Sequence, residues 1–330
     1  MITLRFALGL ALMTVLVSSY IRLAESGVGC DDWPECYGQY QNNVSAHGIN
    51  VLTDQGKDSP HRMARIGHRL LTSVLGVIVL SLFIIAWRSK YRALIGRGVP
   101  TTMLLLTVIL ASIGQIHPPQ PLPILILANF SGGMLLVALV YYLYARLRSD
   151  ARYRPVLASG INNARLVRWV RAGLLLMLLQ LIWGGWASAN YAGASCGDLF
   201  KCGAIALENS QVNNVDLIHF NTLKLDQHGR VMAGSAMQLI QKIHHGLAIF
   251  LVFYFVVLAV WLMRAEPKLK KVCLMLLALL TAQVLLGLSA LAFQLPLAVM
   301  VAHNLLAALL LVLLISLNLK VSASPLSKPL

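Results

Sequence analysis

The chain has 330 residues, of which 58% are hydrophobic and only 12% are charged. This composition excludes a soluble globular domain of that length. The formal net charge of +15 would suit a nucleic-acid partner, but the basic residues cluster in short loops without the basic–aromatic pattern of a nucleic-acid module. Nucleic acid is therefore excluded as a partner, and membrane topology explains the charge.

Eight apolar stretches define the predicted architecture. A helix needs about 20 consecutive apolar residues to cross the hydrocarbon core of a bilayer. The sequence therefore predicts an all-α integral membrane protein with eight transmembrane helices. The first stretch lacks a small-residue cleavage site, so we interpret it as a span and not as a signal peptide. The predicted spans are 5–22, 66–87, 99–116, 122–145, 172–190, 238–263, 272–293 and 297–318.

The loops between the spans alternate in character. Basic residues gather after the second, fourth and sixth spans, so the positive-inside rule places these loops and both termini in the cytoplasm. We therefore expect a multi-pass protein of the cell's inner (plasma) membrane. Two long loops on the other side, 23–65 and 191–237, carry four of the five cysteines. The fifth, Cys273, begins a span and is expected to be a packing residue.

The two halves of the sequence resemble each other. Residues 1–150 predict an N-terminal four-helix bundle, 151–171 a cytoplasmic linker, and 172–330 a C-terminal four-helix bundle. Because each half has an even number of spans, the halves should be related by a pseudo-two-fold axis along the membrane normal. Three landmarks recur in the same order: Cys30 and Cys36 precede Cys196 and Cys202 by 166 positions, His68 precedes His244 by 176, and Asn129 precedes His303 by 174.

Two histidines of the second half are candidate metal ligands. Ionisable residues inside membrane spans are costly and therefore suggest function. His244 and His303 lie near the outer ends of the sixth and eighth spans, at matching depth. Two neutral imidazoles on facing helices of a bundle are the usual axial ligands of a haem iron. The alternative is a pair of hydrogen-bonded structural histidines.

The first half differs at one of these positions. His68 corresponds to His244, but Asn129 takes the place of His303. An asparagine amide is a poor iron ligand, so the first half offers one strong axial ligand, His68, and leaves the opposite side open. An open site suits substrate binding or chemistry, whereas a closed site suits electron transfer. The alternative is a degenerated site.

Neighbouring residues extend the two candidate sites. His61 precedes His68 by seven residues and would share its helix face if a helix began at Pro60; the alternative is a surface histidine in the loop. His245 directly follows His244 and cannot face the same way. Either His245 or its counterpart Arg69 could meet a haem propionate, and the alternative is a solvated cation.

Several motifs together resemble the haem A synthase family. They are "RLAESGVGCDDWPECYG" at 22–38, the His68–Arg69 pair, "GGWASANYAGASC" at 184–196 and "AHNLLAALLL" at 302–311. The resemblance covers nearly the whole chain and implies eight spans in two four-helix bundles. It implies that the second bundle holds haem b between His244 and His303. It also implies that the first bundle binds haem O, with His68 as the catalytic residue. The C8 methyl of haem O is then oxidised to the formyl group of haem A.

The sequence departs from that family in the first half. The family has a histidine where Asn129 stands and a glutamate where Arg65 stands, three residues before His68. A carboxylate could come instead from one of four acids in or beside the first outer loop. These acids are Glu25, Asp31, Asp32 and Asp58.

The cysteine pairs of the outer loops also match cysteine-bearing members of that family. We expect disulfides Cys30–Cys36 and Cys196–Cys202, with the first loop forming a lid over the first bundle. A redox role is the alternative, and the spacing fits a zinc site poorly.

Two functions follow from the sequence. The first is a haem A synthase-like oxidoreductase with haem b as cofactor and haem O as substrate. The second is a non-catalytic haem b electron carrier or haem-delivery factor for oxidase assembly. The expected partners are haem O and haem A, membrane lipid, haem O synthase, cytochrome oxidase assembly proteins and a second copy of the chain.

Overall fold

The computed structural model describes residues 2–26, 28, 60–88, 95–116, 122–148, 161–195, 223 and 235–322. Within these residues the fold is all helical, with eight α-helices and two single-turn 3₁₀ helices at Ala192–Ala194 and Pro267–Leu269. The α-helices are α1 (Ile2–Glu25), α2 (Pro60–Trp87), α3 (Gly98–Ile113), α4 (Pro123–Leu147), α5 (Ile161–Ala189), α6 (Ser235–Ala265), α7 (Lys270–Ala292) and α8 (Leu297–Ser322).

Seven of these helices are long and apolar enough to cross a membrane. Such segments form helices because only helices and closed barrels satisfy every backbone polar group inside a bilayer. The exception is α3, whose 16 residues extend about 24 Å at 1.5 Å per residue. That length is less than the roughly 30 Å of hydrocarbon. The predicted third span, 99–116, is therefore an apolar helix that ends earlier than expected, at Gly114.

The helices pack as two rings. In the first half α1 packs on α2 and α4, and α3 packs on α2 and α4. In the second half α5 packs on α6 and α8, and α7 packs on α6 and α8. The halves meet through the pairs α1–α8, α4–α5 and α4–α8. This set of contacts is unchanged when the two halves are exchanged.

Apolar side chains fill the interior and also cover the outside. One continuous core of leucine, valine, alanine and aromatic side chains runs through both rings, with α8 contributing a long buried face from Ala307 to Val321. The outward faces are equally apolar, with exposed residues such as Leu105 on α3 and Phe253 on α6. Apolar faces of this extent indicate contact with lipid rather than with water.

The first residues of α2 and α5 determine which candidate functional residues are helical. Helix α2 begins at Pro60, so His61 and His68 share one helix, as the proline at that position predicted. Helix α5 begins at Ile161 and not near 172, because Leu166 and Val170 are buried in the core while Arg165 and Arg168 are exposed. The four outer-loop cysteines, the three loop aspartates at 31, 32 and 58, and His47, His117, His219 and His228 lie outside the described residues.

Candidate functional site

The site in the second half is built around His244. Its ring lies against Gly184 of α5, where an added Cβ would come within 2.9 Å of the ring carbon Cε1. Gln180, one turn earlier on α5, donates from Nε2 to the backbone carbonyl of His244 at 3.1 Å and lies 3.3 Å from Nδ1. Helix α5 therefore supplies both the space for this ring and a polar group that fixes it.

His303 on α8 has the same kind of environment. Gln283 of α7 places Nε2 at 2.9 Å from Nε2 of the ring. Gly287, one turn later, faces the ring, and an added Cβ there would make an ordinary contact of 3.4 Å with Cε1. Nδ1 of His303 is buried without a hydrogen-bond partner among the described residues.

The two environments share a glutamine–glycine pattern that was not predicted from the sequence. The stretches 180–184 and 283–287 both have the pattern Q-x-x-x-G, which puts the glutamine and the glycine on one helix face, one turn apart. Each pattern faces a histidine on the helix that follows in the chain. The repeated pattern inside two apolar spans was the signal that could have revealed it.

The arrangement fits a bis-histidine haem site. Helices α6 and α8 do not neighbour each other in their ring but lie diagonally across it. A ligating imidazole commonly has its second nitrogen hydrogen-bonded to an outer group, which fixes the orientation of the ring. A glutamine amide can fill that role for either tautomer, since its two ends offer a donor and an acceptor. The buried, unpartnered nitrogen of His303 is a donor atom that a ligand can satisfy.

The corresponding part of the first half has a different lining. His68 lies half-buried on the same face of α2 as the buried Leu75 and Val79. Asn129 on α4, diagonally across the ring, is exposed. At the repeat offsets of 166 and 174 positions, Thr14 replaces Gln180 and Ile109 replaces Gln283. The glutamine and glycine pattern is therefore specific to the second half.

A charged pair lies one turn before His68. Arg65 Nη2 and Nε both lie 2.8 Å from Glu25 Oε1. Glu25 is the last residue of α1, so the pair ties the end of α1 to α2. Of the carboxylates that the sequence offered for this position, Glu25 is the one that the described residues bring there.

His245 points away from the candidate ligand pair. Its Nε2 lies 3.0 Å from Nε2 of Gln241, one turn earlier on α6. Its ring centre lies 6.0 Å from that of His244, and the two rings are tilted by 52°. Arg69 is exposed. A role for either residue with a haem propionate stays a prediction.

Arg22 joins the two halves near the C-terminal ends of α1 and α5. It donates from Nη1 to Ser188 on α5, and its guanidinium lies 5.6 Å from the ring centre of Phe130 on α4. Phe130 in turn fits against Gly185, where an added Cβ would lie 2.6 Å from Cδ1 of the ring. Arg22 and Ser188 are 166 positions apart, which is the offset of the cysteine pairs, so Arg22 contacts its own repeat counterpart. Residues on a two-fold axis make such contacts.

Comparisons with known proteins identify the family of the chain. Residues 2–315 match the COX15-CtaA family, described as cytochrome oxidase assembly protein. The chain is also 28% identical over 326 residues to a protein of Shewanella oneidensis named heme A synthase, and the match covers 96% of this chain and 94% of that protein. Since the family match spans nearly all of the helices described above, the chain belongs to the COX15-CtaA family of cytochrome oxidase assembly proteins.

Proposed function

We infer that this chain is a haem A synthase-like membrane oxidoreductase, which oxidises the C8 methyl of haem O to a formyl group for cytochrome oxidase assembly. The observation that carries the inference is the pair His244 and His303, each fixed by a glutamine and faced by a glycine. Membership of the family and the name of the Shewanella oneidensis relative support the same activity.

The second half would hold haem b. His244 and His303 would hold it, because they lie on diagonally placed helices of the second ring. Bound haem b supplies one-electron transfer. Gln180 and Gln283 hold the two imidazoles in orientation, while apolar side chains of the core exclude water.

The first half would bind the substrate, haem O. His68 would be the protein ligand that touches the substrate, and Asn129 would leave the opposite side without a strong ligand. Arg65 holds the carboxylate of Glu25 one turn from His68, so this half has a charged pair at the outer end of its site. Converting a methyl group and one water molecule into a formyl group releases protons and electrons, so the reaction would need an electron acceptor from outside the chain. The carboxylate of Glu25, which Arg65 holds at the end of α1, would be available as a proton acceptor at that end of the site.

The overall organisation would be two four-helix bundles related by a pseudo-two-fold axis. The first would lie within 1–150, and the second would begin with α5 at Ile161, so that the predicted linker 151–171 would end where α5 begins. The symmetric set of helix contacts and the Arg22–Ser188 contact support this organisation. The basic loops support placement in the inner membrane with both termini in the cytoplasm. Disulfides Cys30–Cys36 and Cys196–Cys202 would then lie on the outer side.

A second function is favoured by one specific observation. The first half has Thr14 and Ile109 where the second half has its two glutamines, and Asn129 where it has His303. A chain with only the second site intact would act as a haem b electron carrier or as a haem-delivery factor, without catalysis.

One experiment separates the two functions. The protein is produced in membranes that contain haem O synthase, and haems B, O and A are extracted and resolved by chromatography. A synthase yields haem A, and the His68→Ala variant loses haem A while keeping the haem B bound by the second half. A carrier yields the same amount of haem A with and without the protein, and that outcome would remove the enzyme from consideration.

A further inference from the structure

A groove with basic and aromatic walls lies near the start of α5. It is a shallow groove, open to the surroundings, with about 360 Å³ of space. Arg165, Arg168, Trp169 and Ala172 line one wall from a single face of α5, and Tyr254 of α6 lines the other. Both arginines are exposed. Nothing in the proposed haem chemistry uses this groove.

The aromatic walls are held in place. Tyr254 donates its hydroxyl to the backbone carbonyl of Trp169 at 2.6 Å, and the two rings stack with centres 5.6 Å apart. Trp261 meets Trp169 edge-on at 6.2 Å. Arg165 lies over the ring of Trp261 with its guanidinium carbon 5.7 Å from the ring centre. The groove therefore exists before any ligand arrives, which lowers the entropy cost of binding.

The positive charge of the groove is not neutralised by the described part of the chain. The acidic residues in that part are Glu25 and Glu266. Glu25 pairs with Arg65. Glu266 forms no ion pair with Arg165 or Arg168 among the described residues. Two neighbouring guanidinium groups without a carboxylate partner favour an anionic ligand, and their planar donors match phosphate oxygens.

The first half contains the repeat counterpart of this groove, with different chemistry. A second groove lies between α1 and α2 of the first half. Subtracting 166 positions from residues of α5 and 176 from residues of α6 converts four residues that line the basic groove into four residues that line this second groove. That second groove has an apolar and hydroxyl lining without a charged side chain. The corresponding pairs are Ile2 and Arg168, Thr3 and Trp169, Phe6 and Ala172, and Ile78 and Tyr254. The cationic lining is thus a feature of one half and not of the scaffold.

The groove opens onto a lipid-facing surface. The exposed face of α5 that starts with Arg165 and Arg168 continues through Leu175, Leu179 and Ile182, all of them exposed. A ligand with a charged head in the groove could therefore lay an apolar tail along the same helix face. The tryptophan position agrees, since tryptophan concentrates at the level of lipid headgroups.

We propose that this groove binds the phosphate of an anionic phospholipid from the leaflet on the basic side of the membrane. Arg165 and Arg168 bind the phosphate, Trp169 and Tyr254 flank the glycerol region, and the acyl chains run along α5. A soluble phosphate would use only the charged part of the site, whereas a phospholipid satisfies both the charge and the apolar face.

The test uses the full-length protein, purified in detergent and titrated with phosphatidylglycerol or phosphatidylcholine of identical acyl chains, with bound lipid counted by native mass spectrometry. A hydrogen bond between a guanidinium group and a charged phosphate contributes about tenfold to binding. R168Q should therefore lower the preference for phosphatidylglycerol about tenfold, and R165Q/R168Q about 100-fold. The matched control is R171Q, which removes the same charge from the same helix but lies outside the groove.

Three outcomes would overturn the proposal. The first is equal loss in R168Q and R171Q, since that shows diffuse attraction to the basic end. The second is a wild-type protein without preference for phosphatidylglycerol. The third is displacement of the lipid by millimolar inorganic phosphate, since that shows a soluble-anion site. Size-exclusion profiles and helical circular dichroism of each variant confirm that the fold is intact, so a loss of binding can be assigned to the groove.

Discussion

Gly184→Ala is the sharpest single test of the second-half site. The added methyl would lie 2.9 Å from Cε1 and 3.3 Å from Nδ1 of His244, and ordinary contacts begin at 3.4 Å. The ring must therefore move by about 0.5 Å, which reaches the tolerance of roughly 0.5 Å within which a functional group keeps its geometry. Haem binding at His244 should weaken.

The stability change should be small by comparison. Alanine in a helix interior is favoured over glycine by about 1 kcal/mol, and a forced contact costs about 1–3 kcal/mol. The two terms oppose each other, so the net loss is at most about 2 kcal/mol. We therefore expect a folded protein that has lost much of its low-spin haem signal.

The control substitutions follow from the same geometry. At Gly246, on the same helix as His244, an added Cβ has nothing within 4 Å, and at Gly287 it lies at an ordinary 3.4 Å from His303. Haem content and low-spin absorbance, measured on purified proteins of equal helical content, should fall strongly for G184A, slightly for G287A and not for G246A. A wild-type spectrum in G184A would refute the close approach of α5 to His244.

The remaining predictions test the ligands and the first half. His303→Ala should abolish the low-spin signal in optical spectra, and retention of that signal would exclude His303 as a ligand. Glu25→Gln should lower haem A formation while changing the free energy of unfolding by only about 0–1 kcal/mol, since an exposed ion pair contributes little stability. The double exchange Glu25→Arg with Arg65→Glu keeps the ion pair and should restore haem A formation, and no recovery would show that the carboxylate must lie on α1. Asn129→His should add a second low-spin signal that disappears when His68→Ala is introduced, and an unchanged spectrum would show that the first half does not bind haem.

The sequence predicted the helices well and one span imperfectly. Apolar length is a direct consequence of bilayer thickness, so seven predicted spans correspond to long helices. The third differs because its helix ends at Ile113, three residues before the end of the predicted span at 116. Composition shows where a segment can lie in lipid, but the helix end depends on local backbone geometry.

The site was predictable only as far as the repeat allowed. His244 and His303 could be found because ionisable residues stand out in apolar spans. Gln180 and Gln283 are uncharged, and their significance depends on which helix faces which. The pairing of Glu25 with Arg65 joins residues 40 positions apart, and no local pattern reports such a distance. The Arg22–Ser188 contact, in contrast, could have been predicted, because repeat counterparts can meet at the axis that relates them.

The differences between the halves show that fold and site are separable in this protein. Both rings keep the same helix contacts, although Thr14 and Ile109 in one ring correspond to Gln180 and Gln283 in the other. The scaffold therefore depends on apolar packing along the helices and not on the polar groups that surround the histidines. Such a scaffold can carry two candidate histidine ligands in one half and a single one in the other half, and both halves still fold. A protein with one closed and one open site can bind a permanent cofactor beside an exchangeable substrate, which is the division of roles in the function proposed above.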